Sequence, residues 1–251
     1  MKPIARELIG TLLGVGLVLL SLGAAHAAVF AVPEGLPPWG IGPDRPADER
    51  GVFVDMAEAI KARSSIPIDI RSVPYARMLQ MIKSGEADYA FGVVGPATAE
   101  AGKFTVVIAK VPMVAVARKG LSLKTLSDLH GFSEVGFMRG GSCGPAVDAD
   151  PAVKLVAQDS YESAIRKLAA GRLDAWCSIK PGFIYTLRSL KLDGDMGQSV
   201  DYGEVKIAFQ VTNAKADAAE THQMEELVGK LVTEGVPGQI FNRYVGAPYT
   251  P

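Results

Sequence analysis

The strongest constraint on what this chain can fold into is a pattern that occurs twice. In the first occurrence Val29 to Val32 reads as a buried strand, stopped by Pro33 and Gly35. Asp55 with Glu58 then forms a capping box ahead of a helix whose inward face is Met56, Ala59 and Ile60. Ile68 to Ile70 is a second strand, and Met78, Leu79, Met81 and Ile82 mark a second helix ending at Gly85. Asp88 opens a third strand, Tyr89 to Val94. The second occurrence runs from a strand at Val135 to Met138, through the turn Gly140-Gly141-Ser142 into a helix, to a strand at Val153 to Val156. Asp159 and Glu162 repeat the capping box, Ala164, Ile165 and Leu168 repeat the apolar face, and Gly171 precedes Asp174 and the strand Ala175 to Ile179. In both, Gly-x-x-Asp joins helix to strand. Strands alternating with helices predict a parallel sheet covered on both faces, here as a pair of α/β lobes.

Two extended stretches join these units. Val106 to Arg118, interrupted by Pro112, leaves the first lobe, and Val205 to Val211 carries the chain back to a last helix with Met224, Leu227, Val228, Leu231 and Val232 on one face. The expected organisation is residues 1–27 as a leader, 28–110 with 205–251 as one lobe, and 111–204 as the other. Two crossings make a hinge, and a hinge makes a cleft.

The leader follows from Lys2 and Arg6, a charge-free stretch from Leu8 to Ala25 and the small-x-small box Ala25-His26-Ala27. It reads as a secretory signal cut after Ala27; the other reading, an uncleaved anchor, is diluted by Gly10, Gly14, Gly16 and Gly23. In an oxidising compartment Cys143 and Cys177 either pair or remain two buried thiols. With 26 basic and 27 acidic residues the chain offers no field for a polyanion, so nucleic-acid binding is not expected. No Cys-x-x-Cys or His-x-x-x-His spacing points to a metal, and no cofactor is expected.

The order of these motifs, from Pro37-Pro38-Trp39 through Gly51, Asp55, Gly85-x-x-Asp88, Phe104 and Gly171-x-x-Asp174 to Leu231, Gly235, Ile240 and Tyr244, resembles the bacterial periplasmic solute-binding proteins of family 3. The resemblance implies a type II periplasmic binding fold, a monomer that closes on a small molecule and delivers it to the membrane permease of an ABC transporter. It also implies an arginine after the third strand and an aspartate in the second lobe, which together clamp an amino acid. Those two positions hold Ala101 (or Glu100) and Ile179, so the zwitterion clamp does not transfer.

Other residues occupy the implied cleft. Trp39 either stacks on a planar ligand or closes the lobe edge. Tyr75 and Arg77 follow the second strand, and Arg77 either grips a carboxylate or is a solvated helix-start arginine. Gly95 and Thr98 lie on the loop after the third strand. Gly140, Gly141, Ser142 and Cys143 turn into a helix where free N–H groups accept anions, although glycines in a turn need no ligand to explain them. Arg139 and Lys180 flank the same strand ends, and Trp176 is core. The expected solute is therefore small and polar, anionic or aromatic, and the expected function is capture without chemistry. The rival readings are an enzyme on the same fold, of the cyclohexadienyl dehydratase kind, and a sensor acting through a separate membrane partner; neither histidine of the mature chain, His130 or His222, falls on a cleft loop.

Overall fold

The computed structural model describes residues 27–46 and 49–246. The expected signal segment lies outside the described residues, except for Ala27 at its end. The apolar runs become β1 (Ala28–Glu34), β2 (Ile68–Pro74), β3 (Tyr89–Val93), β4 (Gly102–Arg118), β5 (Val135–Met138), β6 (Leu155–Gln158), β7 (Ala175–Ile179) and β8 (Met196–Thr212). The helices are α1 (Val52–Lys61), α2 (Tyr75–Ser84), α3 (Pro96–Ala99), α4 (Pro145–Asp148), α5 (Tyr161–Ala169), α6 (Lys180–Ser189), α7 (Ala219–Thr233) and α8 (Val236–Val245).

The strands form one sheet in the order β2-β1-β3-β8-β4-β7-β5-β6. Its two halves repeat each other: β1 lies parallel between β2 and β3, and β5 lies parallel between β6 and β7. The long antiparallel strands β4 and β8 run through both halves. β8 pairs with β3 over Ile207–Val211, whereas β4 pairs with β7 over Met113–Ala117. The β4–β8 ladder slips register between Pro112 and Met113, where the chain passes from one half to the other. This is the two-lobed α/β architecture that the duplicated pattern predicts.

The repeated Gly-x-x-Asp has one physical job in both lobes. Gly85 and Gly171 adopt left-handed φ values of 76° and 71°, which end α2 and α5 at low steric cost. The aspartate that follows holds the neighbouring central strand or the segment leading into it: Asp88 Oδ2 accepts the N–H of Val29 in β1 at 2.7 Å, and Asp174 Oδ2 accepts the N–H of Ser133, just ahead of β5, at 2.8 Å. Each is also paired with a cation from a crossing strand or its end, Lys215 at 2.7 Å and Arg118 at 3.0 Å.

Three local expectations are corrected. Helix α1 starts at Val52, not after Asp55, because the carbonyls of Pro38 and Trp39 already accept the first N–H groups, those of Val52 and Phe53, both at 2.8 Å. Asp55 instead accepts from Tyr244 and Arg243 of α8, both at 2.9 Å. Ser160, not Asp159, caps α5, its hydroxyl accepting the Ser163 N–H at 3.1 Å while Asp159 turns to Arg139. Strand β6 begins at Leu155, since Asp150 draws Ala152 and Val153 into a turn.

Candidate functional site

The halves of the sheet face each other across a cleft with about 700 Å³ of space free of protein atoms, its open mouth included. From the first lobe it is walled by Leu36, Trp39, Phe53 and Tyr75, with Gly92, Gly95 and Thr98 at the end of β3. From the second lobe it is walled by Met138, Tyr161 and Ile179, with the turn Gly140 to Ser142 and the β7 residues Cys177 and Ser178.

The Trp39 loop is fixed by backbone chemistry. Gly40 passes so close to the Pro33 carbonyl that a β-carbon would lie 1.6 Å from its oxygen, and Gly51, at φ 119°, has the Gly40 α-carbon 2.7 Å from where its own β-carbon would stand. Only glycine lets these segments touch. Trp39 consequently lies against Phe53 and Phe241, with ring centroids 5.4 and 5.5 Å away, and is 1% exposed. It is both a cleft wall and a core residue.

Tyr75 is the first residue of α2 and Tyr161 the first residue of α5, the same place in the two lobes. Burial, with the nearby Tyr161 adding to it, pushes the Tyr75 hydroxyl well above the ordinary tyrosine range. Burial likewise carries Tyr161 up to about 12, against hydrogen bonding around its hydroxyl from Ser178 and the Ile179 backbone and the nearness of the Trp39 indole. Both are neutral hydroxyls at physiological pH. The duplication is the sequence signal for Tyr161, which repeats Tyr75 in the second unit, but the displaced cap beside Asp159 obscures the match. Phe53 carried no such signal, lying inside an ordinary apolar helix face.

The turn after β5 is pinned from several sides. Cys143 and Cys177 are joined in a disulfide with α-carbons 5.6 Å apart, Tyr202 donates its hydroxyl to the Cys143 carbonyl at 2.9 Å, and Asp148 accepts the Cys143 N–H at 2.8 Å. More of the turn's groups are spent within it: Gly141 donates to Met138 at 2.8 Å, Gly144 donates to the Ser142 hydroxyl at 2.8 Å, and that hydroxyl donates to Asp148. The turn thus carries its own carboxylate. In the first lobe, Thr98 donates to the Val93 carbonyl at 2.6 Å and accepts from Gly95 at 3.1 Å, stiffening that loop.

Of the residues singled out from the sequence, Trp39, Tyr75, Gly95, Thr98, Gly141 and Ser142 meet in the cleft. The three cations are not among its lining residues. Arg77 pairs with Glu86, Arg139 with Asp159 and Lys180 with Asp201, all with exposed or half-exposed side chains. For Arg77 the reason is geometric: Tyr75, two positions earlier on α2, takes the buried side, which leaves residue 77 on the solvent side beside Glu86 at the helix end. Ala101 is buried and Ile179 lines the cleft, so neither clamp position carries a charge. Among the described residues no group of three or more His, Cys, Asp or Glu side chains converges as a metal centre would require.

Across residues 29–247 the sequence matches the model of the bacterial extracellular solute-binding proteins, family 3. The chain belongs to this family. Solved structures agree at the level of the fold. A histidine kinase sensor domain with similarity to periplasmic binding proteins is 19% identical, with a TM-score of 0.76 over 90% of this chain and 98% of that one. The arginine-, lysine-, histidine-binding protein ArtJ from Geobacillus stearothermophilus is 13% identical, with a TM-score of 0.73 over 88% and 96%. The Bordetella pertussis BvgS periplasmic VFT2 domain is 19% identical, with a TM-score of 0.70 over 87% and 93%. A comparison with curated protein sequences finds no match. As a family 3 solute-binding protein, this chain has kept the two-lobed frame while its cleft is lined by aromatic, aliphatic and hydroxyl groups.

Proposed function

We propose that this protein captures a small solute between its two lobes, outside the cytoplasm, and delivers it to the permease of an ABC importer. The observation that carries the reading is the cleft itself: its walls come from both lobes, and only two strands, β4 and β8, cross between them. Relative motion of the lobes about the register slip near Pro112, with the lobe boundary close to residues 110/111 and 204/205, would open and close the site. Of the two solute classes expected from the sequence, the aromatic one is favoured by the walls, because Trp39, Phe53, Tyr75 and Tyr161 contribute rings, whereas among the described residues no cation lines the site to hold an anion.

The test is small-angle scattering on the exported protein with and without a solute found by thermal-shift screening. Saturation should shrink the radius of gyration, and a ligand that saturates the protein without compaction would count against closure.

A further inference from the structure

The cleft contains a donor with nothing to donate to. Trp39 Nε1 is buried and has no hydrogen-bond partner. It lies near the Tyr161 hydroxyl, close enough to favour that group's ionised form, yet outside bonding geometry. A buried N–H left unpaired costs about 1–3 kcal/mol, a cost that a ligand's acceptor placed on this atom would remove. A second orphan adjoins a glycine that lines the cleft. The Gln210 side-chain nitrogen donates to the carbonyls of Thr98 and Gly102 at 2.7 and 3.3 Å, which fixes the orientation of the amide. Its Oε1 is left without a partner and lies 3.2 Å from where a β-carbon on the cleft-lining Gly92 would stand.

Charge is missing from the same place. Among the described residues none that lines the cleft is ionisable near neutral pH. In the turn after β5 the N–H groups of Gly141, Cys143 and Gly144 are already bonded, and the Asp148 carboxylate that takes the Cys143 N–H disfavours a second anion beside it. A charged ligand entering such a site gives up its hydration for no counter-charge, at a cost of several kcal/mol. An uncharged ring escapes that cost and gains both the aromatic walls and the free indole N–H.

Building on the capture reading, we propose that the site selects an uncharged ring compound bearing a hydrogen-bond acceptor, which lies between the aromatic walls with its acceptor on Trp39 Nε1. The substrate class is thus separated from amino acids by the absence, among the described residues lining the cleft, of a charged partner for the ammonium or the carboxylate, and Trp39 acts as a directional specificity residue in addition to a stacking surface.

A matched series of probes tests this: benzamide, benzoate, benzylamine and L-phenylalanine present one ring as a neutral, an anion, a cation and a zwitterion. Benzamide at millimolar concentration should raise the melting temperature and change tryptophan fluorescence, and the three charged probes should not. Trp39→Phe keeps a ring in the wall and removes the N–H; it should weaken benzamide about tenfold in the folded variant, whose own melting temperature falls because the smaller ring leaves a gap against Phe53 and Phe241. Benzoate, benzylamine or phenylalanine binding as tightly as benzamide would overturn the neutral class, as would failure of all four to bind. Undiminished benzamide affinity in Trp39→Phe would overturn the role of the indole. Ile179→Trp fills the cleft and separates this proposal from the capture reading: a charged probe whose binding it abolishes leaves capture standing and the neutral class refuted, whereas any probe that binds the folded variant undisturbed refutes capture in the cleft.

Discussion

At the scale of single residues, the aspartates after the two glycine caps carry more of the architecture than their spacing suggests. Burial alone would raise the Asp174 carboxyl, but hydrogen bonds from Arg118, Ser133 and Glu134 reverse this and hold it below its ordinary value. A carboxyl lowered in the folded state stabilises the fold fully above about pH 4 and loses that contribution as pH falls through the lower, folded value. Asp174→Asn should therefore cost about 1–3 kcal/mol at neutral pH, as expected for a partly buried, charge-assisted network, and progressively less in acid. Urea unfolding of both proteins across pH reads this as a gap that narrows as pH falls below the ordinary carboxylate range; a gap independent of pH would assign the loss to shape instead. The motif was legible in the sequence as a helix end. That the same carboxylate also anchors the neighbouring strand was not legible, because Val29 and Ser133 lie 59 and 41 positions away.

At the scale of elements, the strands and helices of each repeated unit follow from periodicity, and their starts are where local reading failed. Carbonyls of the Trp39 loop cap α1 from outside the helix, and a cap supplied by tertiary contact leaves no trace at the position where a capping residue is sought. The long strands were underestimated for a related reason. β8 includes Gly197, Asp201 and Gly203, residues that read as turns, yet pairing with β4 keeps that stretch extended. The aromatic part of the cleft was legible through Trp39 and Tyr75; the cations were not excludable from sequence, since their carboxylate partners Glu86, Asp159 and Asp201 are identified only by folding. Among these elements the Cys143–Cys177 bond is the most testable. It ties the Gly140 turn to β7 and closes a segment of 34 residues, so replacing both cysteines by serine should lower stability by about 2–5 kcal/mol. The loss should appear as a lower melting temperature, reproduced in the parent protein by reductant, with weaker solute binding because the turn that lines the cleft loses its covalent tether. Unchanged melting after verified reduction would show that Tyr202 and Asp148 hold the turn without it.

At the scale of the whole molecule, β1 begins at Ala28, and the N–H of that residue already donates to the Pro67 carbonyl at 2.8 Å. A cut after Ala27 would thus free the chain at the first residue of the sheet. We expect the exported protein to start at Ala28, which its intact mass will show, and a full-length chain recovered from the membrane fraction would reject cleavage. The order of assembly matters here as well. The second lobe is one uninterrupted stretch of chain, complete once the first part of β8 has been made. The first lobe is not: β3 must wait for Ile207–Val211, and Asp55 must wait for Tyr244. During synthesis the N-terminal lobe therefore emerges first and closes last, held unfinished by partners encoded some hundred or more residues later. If the chain is exported as its leader leads us to expect, such a delay would help, since the end that enters a translocon first is the one that cannot yet complete its fold.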